Sequence, residues 1–155
     1  MNPCPCGYAS DEQVICQCSV EQIRRYQMKL SGPLMDRLDL HMDVPRLQPK
    51  DLLGHIEEEA ESSEVIRERV IEAQMRQLHR NNNLNARMNE EQLSSSCRMN
   101  DAVNTILEQA MQLQRFSGRA INRLLSVART IADMSGVDAI GETHVLEALS
   151  YRAIS

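Results

Sequence analysis

The residues with the most evident chemistry are four cysteines near the start of the chain. Cys4 and Cys6 form one Cys-x-Cys pair and Cys16 and Cys18 form another, with nine residues between the pairs. Four thiolates on a short loop suit tetrahedral Zn²⁺, and such an ion can order a segment too small to have a core. A disulfide framework and four reduced, unligated thiols are the alternatives. The functional interpretation is therefore a structural zinc site, and the two alternatives stay open.

Arg37 stands in a polar turn immediately before a stretch of alternating polarity. Residues 38–44 alternate apolar and polar side chains, which is the period-2 pattern of a half-buried β-strand. An arginine at the end of a strand is held by the backbone and can point outward, as an arginine that reaches a phosphate on a neighbouring subunit must. The alternative is a surface arginine that pairs with Asp36 or Asp39.

Arg115, Arg119 and Arg123 recur every four residues at the start of a predicted helix, so they share one face. Ser117 is typical of a helix N-cap, and Arg119 then lies in the first turn. That position is unfavourable for a cation next to the helix dipole unless an anion is near. The pattern indicates an anion-binding helix start, with an ordinary solvated face as the alternative.

Composition limits the classes of function. The 155-residue chain has 42% hydrophobic and 25% charged residues, as expected of a soluble globular protein. No run approaches the roughly 18 apolar residues that cross a bilayer, and the N-terminus has no secretion signal, so we expect a cytoplasmic protein without a membrane partner. A net charge of −5 and few aromatic residues argue against nucleic-acid binding by this chain alone.

A mainly helical chain must position these residues. Ser19 opens a predicted helix, and the apolar periodicity of the later residues predicts a bundle of helices joined by short loops. The predicted later helices are Ser62 or Ser63 to His79, Glu90 to Leu93, Asp101 to about Gln114, Ser117 to Met134 and about Glu142 to Tyr151. We predict the end of a core domain in residues 1–48, a linker in 49–61 and a helical domain in 62–155.

The predicted strand has no predicted partner strand in this chain, and a single strand cannot pair with itself. It therefore pairs with a second copy of the chain or belongs to a sheet in a longer protein, and we favour the second explanation.

The usual nucleotide-binding motifs are absent from the sequence. The chain has no G-x-x-x-x-G-K-[ST] loop (Walker A) and no apolar strand ending in paired acids (Walker B). We therefore expect no ATP hydrolysis by this chain alone.

Three segments together resemble the Mg-chelatase-like AAA+ ATPases of the competence protein ComM (YifB) type. They are Met-Asn-Pro-Cys-Pro-Cys-Gly at residues 1–7, the segment 31–45 with its Asp-Arg-Leu-Asp-Leu-His motif, and Ser-Gly-Arg at 117–119 with Val-Ala-Arg-Thr-Ile-Ala-Asp at 127–133. The resemblance covers nearly the whole chain in the same order. It implies a mainly α fold: a remnant of the α/β core of an AAA+ ATPase with one strand and one or two helices, followed by a helical lid.

The resemblance also implies roles for three residues. Asn2 resembles the sensor-1 asparagine that positions the attacking water, Arg37 the arginine finger that acts in trans, and Arg119 the sensor-2 arginine of the lid. ATP and Mg²⁺ are the implied cofactors of the full-length protein, and a homo-oligomeric ring, expected to be a hexamer, is the implied assembly. ComM-type members drive branch migration of DNA during recombination, so DNA is an implied partner of the full-length protein.

Two other functions remain. One is a zinc-stapled helical module that binds a protein or a nucleic acid. The other is a subunit of a chelatase that inserts Mg²⁺ into a porphyrin, which follows from the family kinship alone.

Overall fold

A computed structural model describes residues 1–11, 13–30, 32–44, 47, 61–114 and 116–152. The chain divides into two compact units: the first comprises Met1–Met35 and Asp43–Glu59, and the second comprises Asp36–Met42 and Ala60–Ser155. All regular elements in the described residues are helices, which confirms the mainly α prediction. None of these helices combines the length and apolar character needed to cross a membrane. Residues 48–60, most of the predicted linker, lie outside the described residues, as does Arg115.

The first unit begins with a loop that carries the four cysteines. Two helices follow, α1 (Val20–Gln27) and α2 (Gly32–Met35). Ser19 and Gln22 form the predicted capping box at the start of α1: each side chain bonds the other residue's backbone N–H. No residue of α1 is buried. Packing of apolar side chains within the described part of this unit therefore contributes little to holding α1 in place.

The second unit contains five α-helices and one 3₁₀ turn in its described residues. They are α3 (Ser63–Asn81), the 3₁₀ turn Asn85–Arg87, α4 (Glu90–Ser96), α5 (Asp101–Gln114), α6 (Gly118–Met134) and α7 (Glu142–Ser150). These bounds agree closely with the predicted helices. The helices enclose one apolar core, formed by Leu93, Cys97, Val103, Leu107, Leu124, Ala128, Ala132, Ile140, Val145 and Ala148.

Local chemistry sets the ends of these helices. Ser62 and Ser117 cap α3 and α6, because each side-chain oxygen accepts a hydrogen bond from a backbone N–H in the first turn. Asn82 ends α3 in the left-handed conformation (φ 50°), within the run of asparagines that predicts a break. Gly136 follows α6 with φ 76°, a conformation that glycine adopts without strain.

A buried ion-pair network joins α3 to α6, and sequence analysis did not predict it. Arg80 donates to both carboxylate oxygens of Asp133 at 2.6 and 2.7 Å, and Arg129 lies 3.1 Å from the same carboxylate. Asn85 Nδ2 donates to Asp133 Oδ2 at 2.8 Å. Asp133 and Arg129 are only 2% and 1% exposed. Burial by itself would raise the pKa of Asp133, but these hydrogen bonds and cations outweigh burial and lower it.

The predicted strand over residues 38–44 does not form, so that prediction is wrong. The segment has no regular secondary structure, and no strand is present beside it in the described residues. Its apolar side chains are exposed rather than half-buried: Leu38, Leu40, Met42 and Val44. An alternating pattern cannot make a strand without a partner that satisfies its backbone groups. The range Asp36–Met42, which includes most of this segment, belongs instead to the helical unit.

Candidate functional site

Arg37 lies exposed in the turn that follows α2, and its neighbours anchor that turn to the helical unit. On one side, Asp36 Oδ2 accepts a hydrogen bond from Ser117 Oγ at 2.9 Å. On the other side, the carbonyl oxygen of Leu38 accepts from Arg152 Nη2 at 2.8 Å, and Arg152 is buried. The residues immediately before and after Arg37 are therefore both held.

Two further contacts extend this attachment along the segment. Arg123 Nη1 lies 3.1 Å from Asp39 Oδ2, with both side chains about two-fifths exposed. The backbone N–H of His41 donates to the carbonyl oxygen of Tyr151 at 2.7 Å. The four contacts of residues 36, 38, 39 and 41 are here called the clamp. It attaches the arginine-bearing turn to the start of α6 and to the end of α7.

Arg119 lies in the first turn of α6, as sequence analysis expected, and it is exposed. Ser117 Oγ accepts from the backbone N–H of Ala120 at 3.2 Å while it donates to Asp36. The carboxylate of Asp36 thus lies close to the N-terminus of α6, where negative charge is favourable. Arg37 is adjacent to Asp36, which accepts this hydrogen bond, and Arg119 is two residues after Ser117, which donates it. Both arginines belong to the same unit.

Asn2 belongs to the first unit, whereas Arg37 and Arg119 belong to the second. It is exposed, and its side chain lies beside Gly7, with Nδ2 3.7 Å from the position that a Cβ on Gly7 would occupy. The turn at this point depends on glycine: Gly7 has φ 87°, and its N–H donates to the carbonyl oxygen of Cys4 at 3.1 Å.

The four predicted cysteine ligands converge in the first unit. The Sγ atoms of Cys4, Cys6, Cys16 and Cys18 all lie within 4.8 Å of one another. Cys4 Sγ is 3.3 Å from Cys6 Sγ and 3.7 Å from Cys16 Sγ, and the Cys6 and Cys16 sulfurs are 3.6 Å apart. These distances exceed the length of a disulfide bond, about 2.05 Å, and all four thiols are free.

Cys6 and Cys16 differ in acidity because their sulfurs have different neighbours. A hydrogen bond from the backbone N–H of Tyr8, with further bonds from Cys4 and Gln17, lowers the pKa of Cys6 to about 6. A backbone hydrogen bond from Cys18 would lower the pKa of Cys16, but burial and the neighbouring thiols outweigh it and raise that pKa to about 12. The cluster therefore has one thiol that loses its proton readily and another that keeps it.

Cys97 is a different kind of cysteine. It lies in the apolar core of the helical unit, and burial raises its pKa to about 11. A buried thiol of this kind is inert, so Cys97 provides an internal control for experiments on the cluster.

Sequence analysis missed the residues that hold Arg37. The sequence suggests Asp36 and Asp39 as partners of Arg37 and Asp39 as a solvated strand position, and it gives no sign of a contact with Arg152. Leu38 and Arg152 are 114 residues apart in the chain, and no local pattern links such distant positions. The one usable signal was the first-turn position of Arg119, which calls for a nearby anion, and Asp36 is an anion at that helix start.

Two family matches cover most of the chain. Residues 60–152 match the family described as magnesium chelatase, subunit ChlI C-terminal. Residues 1–52 match magnesium chelatase, subunit ChlI. The chain belongs to the magnesium-chelatase-like family. The longer match coincides with the helical unit described above, and the shorter one contains the cysteine cluster and Arg37.

Individual relatives with similar sequences show which members of the family this chain resembles. The chain is 38% identical over 154 residues to competence protein ComM of Haemophilus influenzae, and 40% identical over 154 residues to YifB of Salmonella typhimurium and of Escherichia coli. Each alignment covers 99% of this chain and 30% of the relative, so the chain spans less than a third of their length. The ComM-type resemblance found in the sequence is confirmed, and the chain corresponds to the C-terminal portion of this family.

Proposed function

We propose that this chain supplies the arginine finger and the sensor-2 arginine of an AAA+ ATPase motor. The observation that carries the proposal is the placement of Arg37 and Arg119. Both arginines are exposed, both belong to the helical unit, and the Asp36–Ser117 hydrogen bond ties their two segments together.

Anchoring of the turn is what an arginine finger requires. Phosphoryl transfer is accelerated mainly by positioned positive charge, and an arginine supplied in trans can be worth about 10³ to 10⁵ in rate. Misplacement by even about 1 Å removes much of such an effect. The clamp restrains the backbone on both sides of Arg37 while leaving the side chain exposed, which suits an arginine that acts on a nucleotide bound elsewhere.

Arg37 and Arg119 are expected to move together, because one unit carries both. A rigid-body movement of this unit would change the distance of both guanidinium groups from bound phosphates at once. Hydrolysis would then depend on assembly through Arg37, and the nucleotide state would be communicated to the helical lid through Arg119.

The remaining parts of the active centre would come from the longer protein. This chain has no phosphate loop and no paired acids after an apolar strand, so ATP and Mg²⁺ would be held by other segments. Asn2, the proposed sensor 1, would orient the attacking water. We propose a homo-oligomeric ring, expected to be a hexamer, because an arginine acting in trans requires a neighbouring copy.

DNA is the proposed substrate polymer of the full-length motor. The relative from Haemophilus influenzae is a competence protein by name, which favours a role in branch migration during recombination and natural transformation. This chain has a net charge of −5, so we place the DNA contacts on other parts of the protein.

Two other functions have specific support. The convergence of four cysteine sulfurs favours a metal-stapled module that binds a protein or nucleic acid. The family description favours a subunit of a magnesium chelatase. ATPase assays with DNA of branched structure, with a porphyrin and Mg²⁺, and with neither would separate these functions from the motor.

Substitution of Arg37 in the full-length protein tests the proposal. Arg37→Ala should retain ATP binding and ring assembly but lose turnover by about 10³-fold or more. Arg37→Lys should also lose most turnover, because lysine lacks the planar fork of donors. Arg67→Ala is the matched control, since Arg67 is an exposed arginine of the same unit in α3. Wild-type turnover in Arg37→Ala would refute the finger assignment.

A further inference from the structure

We propose that Cys4, Cys6, Cys16 and Cys18 bind one structural zinc ion. The inference concerns the first unit only, and it stands whether or not the chain belongs to an ATPase. In the described part of the chain, these four cysteines lie together as potential metal ligands, and each offers one sulfur atom.

The sulfur positions match a shared tetrahedral ion. A Zn–S bond of about 2.3 Å makes the edges of a tetrahedron of sulfurs about 3.8 Å long. The distances among the Cys4, Cys6 and Cys16 sulfurs are 3.3 to 3.7 Å, and Cys18 Sγ lies within 4.8 Å of each of them. Small movements of the side chains would place all four sulfurs on one ion.

The backbone around the cluster is arranged as in a metal-binding loop. The positive φ of Gly7 closes the turn in which its N–H bonds the Cys4 carbonyl, so that Cys4 and Cys6 face the same point. Backbone N–H groups of Tyr8 and Gln17 donate to the Cys6 sulfur, and that of Cys18 donates to the Cys16 sulfur. Hydrogen bonds of this type stabilise thiolate ligands and orient them toward a metal.

Apolar packing is sparse in the described part of the first unit. Among its described residues, Cys4 is the one buried side chain, so a thiol occupies the place of a hydrophobic core. A segment without a core needs a cross-link or a metal to hold one conformation. No disulfide is present among these cysteines, and the three printed sulfur separations match the edges of a tetrahedral metal site more closely than a bonded pair.

The donor set favours one tetrahedral ion, either Zn²⁺ or a single iron, over other metals, and Zn²⁺ is the ion typical of structural sites with four cysteines. Four thiolates in a tetrahedron suit Zn²⁺ or iron, whereas Mg²⁺ and Ca²⁺ require oxygen ligands. An iron–sulfur cluster binds its cysteines to different iron atoms and so needs a wider set of sulfurs than this one. One ion at the centre of the four sulfurs is therefore the arrangement that fits.

The metal content of the 155-residue chain, purified under reducing conditions, tests the proposal. The wild-type chain should contain about one zinc ion per chain. Replacement of zinc by Co²⁺ should give the visible absorption of a tetrahedral thiolate complex. Cys6→Ser and Cys16→Ser should lose the zinc and the cobalt spectrum. Cys97→Ala is the matched control and should keep both, because Cys97 lies in the core of the other unit.

Several results would overturn the proposal. They are a wild-type chain that neither retains zinc nor binds added Zn²⁺ or Co²⁺, iron instead of zinc, or equal zinc content in Cys16→Ser and wild type. Loss of zinc in Cys97→Ala would also overturn it. The cobalt spectrum of the wild-type chain needs no variant, so it decides the matter even where a serine variant fails to fold.

Discussion

The two units of this chain hold their functional residues by different physical means. In the helical unit, ten buried residues form an apolar core, and a buried ion-pair network ties α3 to α6. In the first unit, the described residues include one buried side chain, and it is a cysteine. Packing positions side chains where the chain has enough apolar surface, and the proposed zinc ion would take its place in the first unit.

Removal of zinc should have the largest effect and should act on one unit. If the proposed zinc ion is bound, a strong chelator should abolish the hydrogen-exchange protection of the cysteine loop, because Cys4 is the one buried side chain among the described residues of that unit. The amides of α5 and α6 should keep their protection, since their core contains no metal. Added Zn²⁺ should restore the loop. Unfolding of α5 and α6 together with the loop would contradict the comparison.

Asp133→Ala should be the most damaging single substitution in the ion-pair network. It leaves Arg129 buried without its carboxylate partner, and breaking a buried pair in this way costs about 3 to 5 kcal/mol. Urea denaturation of the chain measures the loss. Glu108→Ala, on the exposed face of α5, is the control and should change stability by about 0.5 kcal/mol or less. A similar small change in Asp133→Ala would mean that the network contributes little.

The same residue predicts a pH dependence of the helical unit. The folded-state pKa of Asp133 is lowered, so its charge stabilises the fold above its unfolded pKa of about 3.9. That contribution is lost as the pH falls below this value toward the folded pKa. Thermal melts of the wild-type chain should show this loss. Asp133→Asn should be less stable at neutral pH and should have a flatter profile, and a profile as steep as that of the wild type would assign the dependence to other groups.

The Asp39–Arg123 pair of the clamp should have the smallest effect on stability. Both side chains are about two-fifths exposed, and exposed pairs contribute about 0.2 to 1 kcal/mol. A double-mutant cycle with Asp39→Asn and Arg123→Gln measures the coupling, and the more exposed Glu21–Arg25 pair of α1 is the comparison.

In the full-length protein, the same substitutions should lower kcat by a larger factor than they lower the affinity for ATP, because they loosen the turn that carries Arg37. Unchanged kcat would mean that the Asp39–Arg123 pair does not position Arg37.

Local patterns in the sequence predicted the helical unit well. The caps at Ser62 and Ser117, the break at Asn82 and the stop at Gly136 depend on residues within a few positions of each other, so sequence alone contains the information. The two cysteine pairs are nine residues apart, and their convergence was expected from the ligand chemistry of four thiols rather than from a local pattern. The position of Arg119 in the first turn of α6 followed from the cap.

Contacts between distant residues could not be predicted in this way. The alternation at residues 38–44 is real, but a strand requires a partner, and the described structure attaches this segment to helices through Asp36, Leu38, Asp39 and His41. The network around Asp133 joins residues about 50 positions apart, and neither Arg80 nor Asn85 has a local feature that marks it as a partner. The roles of Asn2, Arg37 and Arg119 stay predictions, since they depend on a nucleotide bound by other parts of the protein.

The proposed role of Arg37 is to complete an ATP site on a neighbouring subunit, and the mixing of two variant subunits is its sharpest test. Two full-length variants are needed: Arg37→Ala, and one in which the phosphate-loop lysine is replaced. Each should be inactive alone, the first for want of a finger and the second for want of bound ATP. Co-expressed mixed rings should regain ATP hydrolysis, because an intact site meets an intact Arg37 at some interfaces. Mixed rings that assemble but remain as inactive as either parent would contradict it.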